Sequence, residues 1–109
     1  MELDIETILE DMLAAIKHEA GAGWQQIKDT ALQFAERKKE RYKLIGELTI
    51  SGHIPKEKFK SILDDEKLLL ESELLALAVI SKAAAQRAAN AALDILRKAV
   101  EGLIGGLLG

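Results

Sequence analysis

The sequence predicts an all-α protein: an antiparallel hairpin of two long helices that associates into a four-helix or larger bundle. Three observations point there. Ala and Leu dominate the apolar residues while aromatics are only 4% of the 109-residue chain, a mixture that with Glu and Lys favours helix over sheet. Apolar residues step by threes and fours on both sides of one proline-bearing turn, Ile50-Ser51-Gly52-His53-Ile54-Pro55, which is helical spacing rather than strand alternation. Finally, two small-residue tracts flank that turn: Ala-Gly-Ala-Gly at 20–23, and seven alanines among residues 83–92. Small side chains along a shared seam let two helices approach toward the short end of the ~8–10 Å range.

The first helix is expected over residues 4–49. Asp4 is placed to cap it, with Leu3 and Ile8 at staple spacing. Its stripe runs through Leu9, Leu13, Ile16, Trp24, Ile27, Ala31 and Phe34 to Ile45 and Leu48. Gly21 and Gly23 interrupt it, each costing about 1 kcal/mol against Ala in a helix interior. The stripe keeps its phase across them, which favours one unbroken helix. The alternative is a three-helix bundle broken at Gly21–Gly23.

Residues 50–55 form the expected turn, with Pro55 suited to the opening of the next helix. The second helix is expected over 56–101, with Phe59, Leu63, Leu70, Leu77, Ile80, Ala84, Ala88, Ala91 and Ile95 on its stripe. Helices of this length would each span ~65–70 Å. The glycine-rich tail, residues 102–109, is expected to fray. No composition shift divides the chain, so it reads as one domain.

Folding back at the turn puts position i opposite about 105 − i, so Ala14 meets Ala91 and residues 20–23 meet 82–85. The same register brings the basic run at 37–43 against Asp64, Asp65 and Glu66. Exposed ion pairs contribute only ~0–1 kcal/mol, so their value lies in choosing register. Lys38, Arg41, Glu66 and Glu73 fall on the apolar stripes themselves. They are expected to form a polar layer that fixes register and oligomer state.

Residues 68–80, LLLESELLALAVI, are apolar well beyond one stripe, and such a helix requires burial on several sides. A lone hairpin cannot supply that. Leu68, Leu75 and Val79, with Trp24 beside the glycines, are therefore the expected oligomer interface. The partner is a second copy, giving a homodimer or higher oligomer, or another helical protein.

Little chemistry is legible. There is no cysteine, which removes disulfides and thiolate metal sites. A ferritin-like di-metal bundle needs a Glu-x-x-His step, but Ala15 precedes His18 by three residues and Ile50 precedes His53. A carboxylate set from Glu36, Glu40, Asp65 and Glu66 would compete with the neighbouring Lys and Arg. No nucleophile triad or phosphate loop is present. The −3 net charge argues against general nucleic-acid binding. No apolar run reaches the ~18 residues of a span, and the acidic opening lacks the basic region of a signal peptide. Trp-x-Gly secreted hairpins have similar length, but Trp24 is followed by Gln25-Gln26 and the signature is absent.

The expectation is thus a non-enzymatic, cytoplasmic structural, scaffolding or adaptor protein acting through helix association, with no cofactor. A metal-binding ferritin-like bundle assembled between subunits is one alternative. A membrane-surface-associating helical protein using the C-terminal tail is the other.

Overall fold

A computed structural model describes residues 3–108. Among them the chain forms four α-helices: α1 (Ile5–Ala20), α2 (Trp24–Ile50), α3 (Lys56–Leu75) and α4 (Lys82–Leu108), with a single 3₁₀ turn at Gly21–Gly23 between the first two. The all-helical class expected from the composition is what is seen. Neither long helix is continuous, however. The first breaks at Gly21–Gly23 and the second at residues 76–81. The longest dimension of the molecule is 43 Å, far short of the ~65–70 Å that unbroken helices require.

Each break reverses the chain. Leu3 donates its backbone N–H to Glu47 Oε2 at 3.1 Å and Lys39 pairs with Glu6, so α1 lies antiparallel on α2. Lys67 Nζ lies 3.1 Å from Asp94 Oδ1, which sets α3 antiparallel to α4. The expected hairpin survives inside this arrangement. Glu19 is 3.4 Å from Arg87 and Lys38 is 3.1 Å from Glu66, both within a residue of the register read from the sequence. The hairpin is folded in half across its own middle, and its two halves pack on each other.

The three turns have different causes. Asp4 caps α1 by accepting from the Thr7 N–H at 3.3 Å and the Thr7 hydroxyl at 2.9 Å. At its other end Gly21 adopts φ +55° and returns its N–H to the Lys17 carbonyl, a left-handed conformation that glycine adopts without Cβ strain. The tolerance of glycine for helix was thus outweighed by its fitness to end one. At the central turn Gly52 has φ +87° and Pro55, extended at φ −62° and ψ 149°, precedes α3. The third turn has no glycine or proline. There Ala78 takes φ +57°, and Ser81 opens α4 by accepting the Ala84 N–H on its hydroxyl at 3.1 Å.

All four helices share one core. Helix α4 touches the other three and makes its most extensive contact with α1. Its inner face is Ala85, Ala88, Ala89, Ala92, Leu93, Leu96 and Val100, all buried. The alanines let its axis sit close to its neighbours, while Ile27, Phe34, Phe59, Leu63, Leu70 and Leu74 fill the space beyond. The tail does not fray after residue 101 as expected: α4 stays helical to Leu108, and Leu103 and Ile104 pack against the core. Burial of those two side chains offsets the helix-weakening glycines. The side chains of residues 105–109 lie outside the described set.

Replacing a core alanine by a larger residue tests the close approach. Ala88→Leu should destabilise the fold by ~1–3 kcal/mol through overpacking. Ala83→Leu, on the exposed side of the same helix, should be nearly neutral. Urea midpoints of the two variants check this; equal stability would show that α4 has room for leucine.

Candidate functional site

Among the described residues the one charged side chain buried in the core is that of Glu66, on α3, with 6% of its surface exposed. It sits on the same face as Phe59, Leu63 and Leu70, so the helical period alone carries it inward. A carboxylate taken from water needs partners, and α2 supplies them. Tyr42, fully buried, donates its phenol to Glu66 Oε1 at 2.7 Å. Lys38 Nζ lies 3.1 Å from the same oxygen, and Arg41 Nε lies 3.7 Å from Oε2. Residues 38, 41 and 42 are spaced so that one helix face presents all three groups.

An aromatic base completes the cluster. The Phe34 ring lies 6.3 Å from that of Tyr42 in a tilted arrangement. The Lys38 ammonium is 5.9 Å from the centre of the Phe34 ring and the Arg37 guanidinium 5.4 Å from it, both within cation–π range. Arg37 also pairs with Glu73 at the surface.

Of the residues expected to form a polar layer, the structure therefore brings Lys38, Arg41 and Glu66 together. Glu73 stands apart, paired with exposed Arg37. Tyr42 joins Lys38, Arg41 and Glu66 although it was not expected in the polar layer; its position one residue after Arg41 on the same helix carried the signal. Burial pushes the Tyr42 hydroxyl well above the usual phenol range, and its hydrogen bond to Glu66 and the negative charge there push it the same way. The phenol is thus a fixed donor. Both Glu66 oxygens face cations or a phenol of the same chain, and among the described residues no buried side-chain polar atom lacks a partner. The arrangement is chemically suited to holding α2 and α3 in one register.

The carboxylates of the alternative metal-binding reading, Glu36, Glu40, Asp65 and Glu66, do not form a ligand set. Among the described residues no three His, Asp or Glu side chains come together as a metal site. His18 is exposed, and Arg87, which a register of 105 − i puts opposite it, pairs with Glu19. His53 lies in the central turn, with Nδ1 2.8 Å from the Ser51 hydroxyl. No helix among the described residues is long and apolar enough to cross a membrane.

The expected interface residues divide into two pairs. Leu68 is 63% exposed and Val79 47%. Leu75 and Trp24 are half-buried against the core of their own chain. Leu69 and Leu77 add exposed apolar surface along the same stretch. The reversal at residues 76–81 explains the division. It turns part of the apolar segment inward, burying Leu70 and Leu74, and leaves the opposite side of α3 outside.

Comparison with family models, with curated proteins and with solved structures finds no match to this chain.

Two outcomes follow from the cluster. Tyr42 is the only tyrosine, so phenolate absorbance reports it alone. Its hydroxyl is raised in the folded state, so above about pH 10 the unfolded chain loses a proton that the folded chain keeps. Stability is therefore level below that pH and falls above it, by up to ~1.4 kcal/mol per pH unit from this group. Tyr42→Phe should flatten that part of the profile, and the phenolate signal of the parent should appear only as the protein unfolds. Separately, Glu66→Leu should destabilise by ~1–3 kcal/mol, because it leaves the Tyr42 hydroxyl and Lys38 without their acceptor. Adding Lys38→Leu and Tyr42→Phe should recover most of that loss; chemical denaturation of the single and triple variants measures it.

Proposed function

We propose that the protein is a non-enzymatic scaffold or adaptor that works through helix–helix association, in the first instance with copies of itself. The observation that carries this reading is the exposed apolar surface of α3 and the turn after it, Leu68 and Leu69 on the helix and Leu77 and Val79 in the turn. Burying one such side chain contributes ~1.5–3 kcal/mol. A symmetric contact uses the same surface twice, so four residues per chain can offset the entropy cost of association. A second copy laid along α3 extends the helical hairpin into a larger bundle. Leu75 and Trp24, already half-covered by their own core, contribute at the rim.

Within this reading the Glu66 cluster serves specificity. Its ionic partners fix how α2 meets α3, and that fixes which side of α3 faces outward. Its cost in desolvation is balanced by three partners rather than by stability gained.

Sedimentation equilibrium at micromolar concentration tests the association. The parent chain should sediment as a dimer or larger species. Leu68→Glu combined with Val79→Glu should sediment at 11.9 kDa, with its helical circular dichroism unchanged. A parent chain that sediments as a monomer would sink the self-association.

A further inference from the structure

The two turns at one end of the bundle are related in a way that the central turn is not. Gly21–Gly23 and residues 76–81 touch: a Cβ on Gly23 would lie 2.6 Å from Ile80 Cγ2. The second of these turns is made from Ala76, Leu77, Ala78, Val79 and Ile80. Ala and Leu are strong helix formers, and no proline or glycine in the segment demands a turn. Ala78 is held at φ +57°, and among the described residues it is the only non-glycine with positive φ. A segment with helical preference is thus bent against that preference, at a strained residue, where two turns meet.

The register is the second observation. On one side of the turns Glu19 meets Arg87. On the other Lys38 meets Glu66. Both pairs fit a single hairpin register. If the two turns straightened together, α1 would run on into α2 and α3 into α4, and both sets of pairs would persist within the chain. Only the contacts of α1 with α2, α3 with α4 and α2 with α4 would be lost. A second opened copy, laid antiparallel, presents the same surfaces that were lost.

From this geometry we infer that the chain opens at these two coupled hinges and exchanges halves with a second copy. The α1–α4 half of each chain then packs on the α2–α3 half of the other. Every exchanged contact is one already present in the closed chain, and the left-handed residue at 78 becomes helical, so the opposing factor is the entropy of association. Short strained hinges are the circumstance in which such exchange is favoured. The inference goes beyond association through Leu68, which lies outside both turns.

Engineered cysteines test it, because the chain has none of its own. The Lys67–Asp94 contact would pass between copies on exchange, whereas Glu19–Arg87 would stay within one chain. The protein is unfolded, refolded at high concentration and separated by size, and the dimer is then oxidised. With Lys67→Cys and Asp94→Cys it should lock into a covalent dimer. With Glu19→Cys and Arg87→Cys it should run as a monomer on a non-reducing gel. The hinges should respond in opposite directions. Gly21→Ala, which has open space for its Cβ but a strained φ, should tighten the dimer about tenfold, and Ala78→Gly should weaken it about tenfold. If Gly21→Ala does not fold, Ala78→Gly, which relieves strain, still reports on the hinge. A dimer whose Lys67→Cys and Asp94→Cys pair closes within single chains, and which is lost in Leu68→Glu, would overturn the exchange and leave surface association standing. A chain that stays monomeric throughout would overturn both.

Discussion

The fold depends on the alanine face of α4. Ala85, Ala88, Ala89 and Ala92 are buried with almost no exposed surface, on a helix that touches all three others. A larger side chain at any of these positions would push a neighbour outward, since interiors near crystal density have no slack to take it up. The aromatic core residues lie elsewhere, as Phe34 and Tyr42 on α2 and Phe59 on α3, while Leu93, Leu96 and Val100 continue the buried face of α4 beyond its alanines. The inner face of α4 is thus slender over its first half and bulkier over its second.

Among the described residues one buried carboxylate interrupts the apolar core. Glu66 occupies a position where leucine would serve stability as well or better. What the carboxylate adds is direction. Tyr42, Lys38 and Arg41 must all come from α2 at one level, and sliding α3 by a turn would bury a charge without partners. Apolar packing on alanines tolerates small slips, because neighbouring alanines look alike. The Glu66 cluster does not tolerate them, and so it supplies the uniqueness that the alanine face lacks.

Much of this was legible in the sequence. The all-helical class followed from the three-and-four spacing, Asp4 from its capping chemistry, and the approach of Lys38 and Arg41 to Glu66 from the register set by the small residues. The two reversals were harder. At Gly21–Gly23 the apolar stripe keeps its phase, so periodicity argued for continuity while the glycines argued for an end, and the backbone freedom of Gly21 prevailed. At residues 76–81 local preference points firmly to helix. The bend there satisfies tertiary burial, because it lets Leu70 and Leu74 face a core made by the same chain. The excess apolar surface of residues 68–80 did signal a missing partner, but much of that partner is the other half of the chain. Ser81, with its hydroxyl on the Ala84 amide, was the one local mark of a new helix start. Tyr42 sits within the basic run 37–43 and off the apolar stripe as read, and only the buried acid across from it gives its hydroxyl a purpose.

The contact between the first and last helices also has a consequence in time. The broadest interface of the molecule joins α1 to α4, the elements farthest apart in the chain. During synthesis at ~5–20 residues per second, several seconds separate the emergence of α1 from that of the helix that covers it. For that interval Ile5, Ile8, Leu9, Met12 and Ile16, all buried in the finished fold, have only α2 to lean on. The nascent chain therefore carries an adhesive amphipathic helix before it carries a core, the circumstance in which transiently exposed apolar surface invites aggregation.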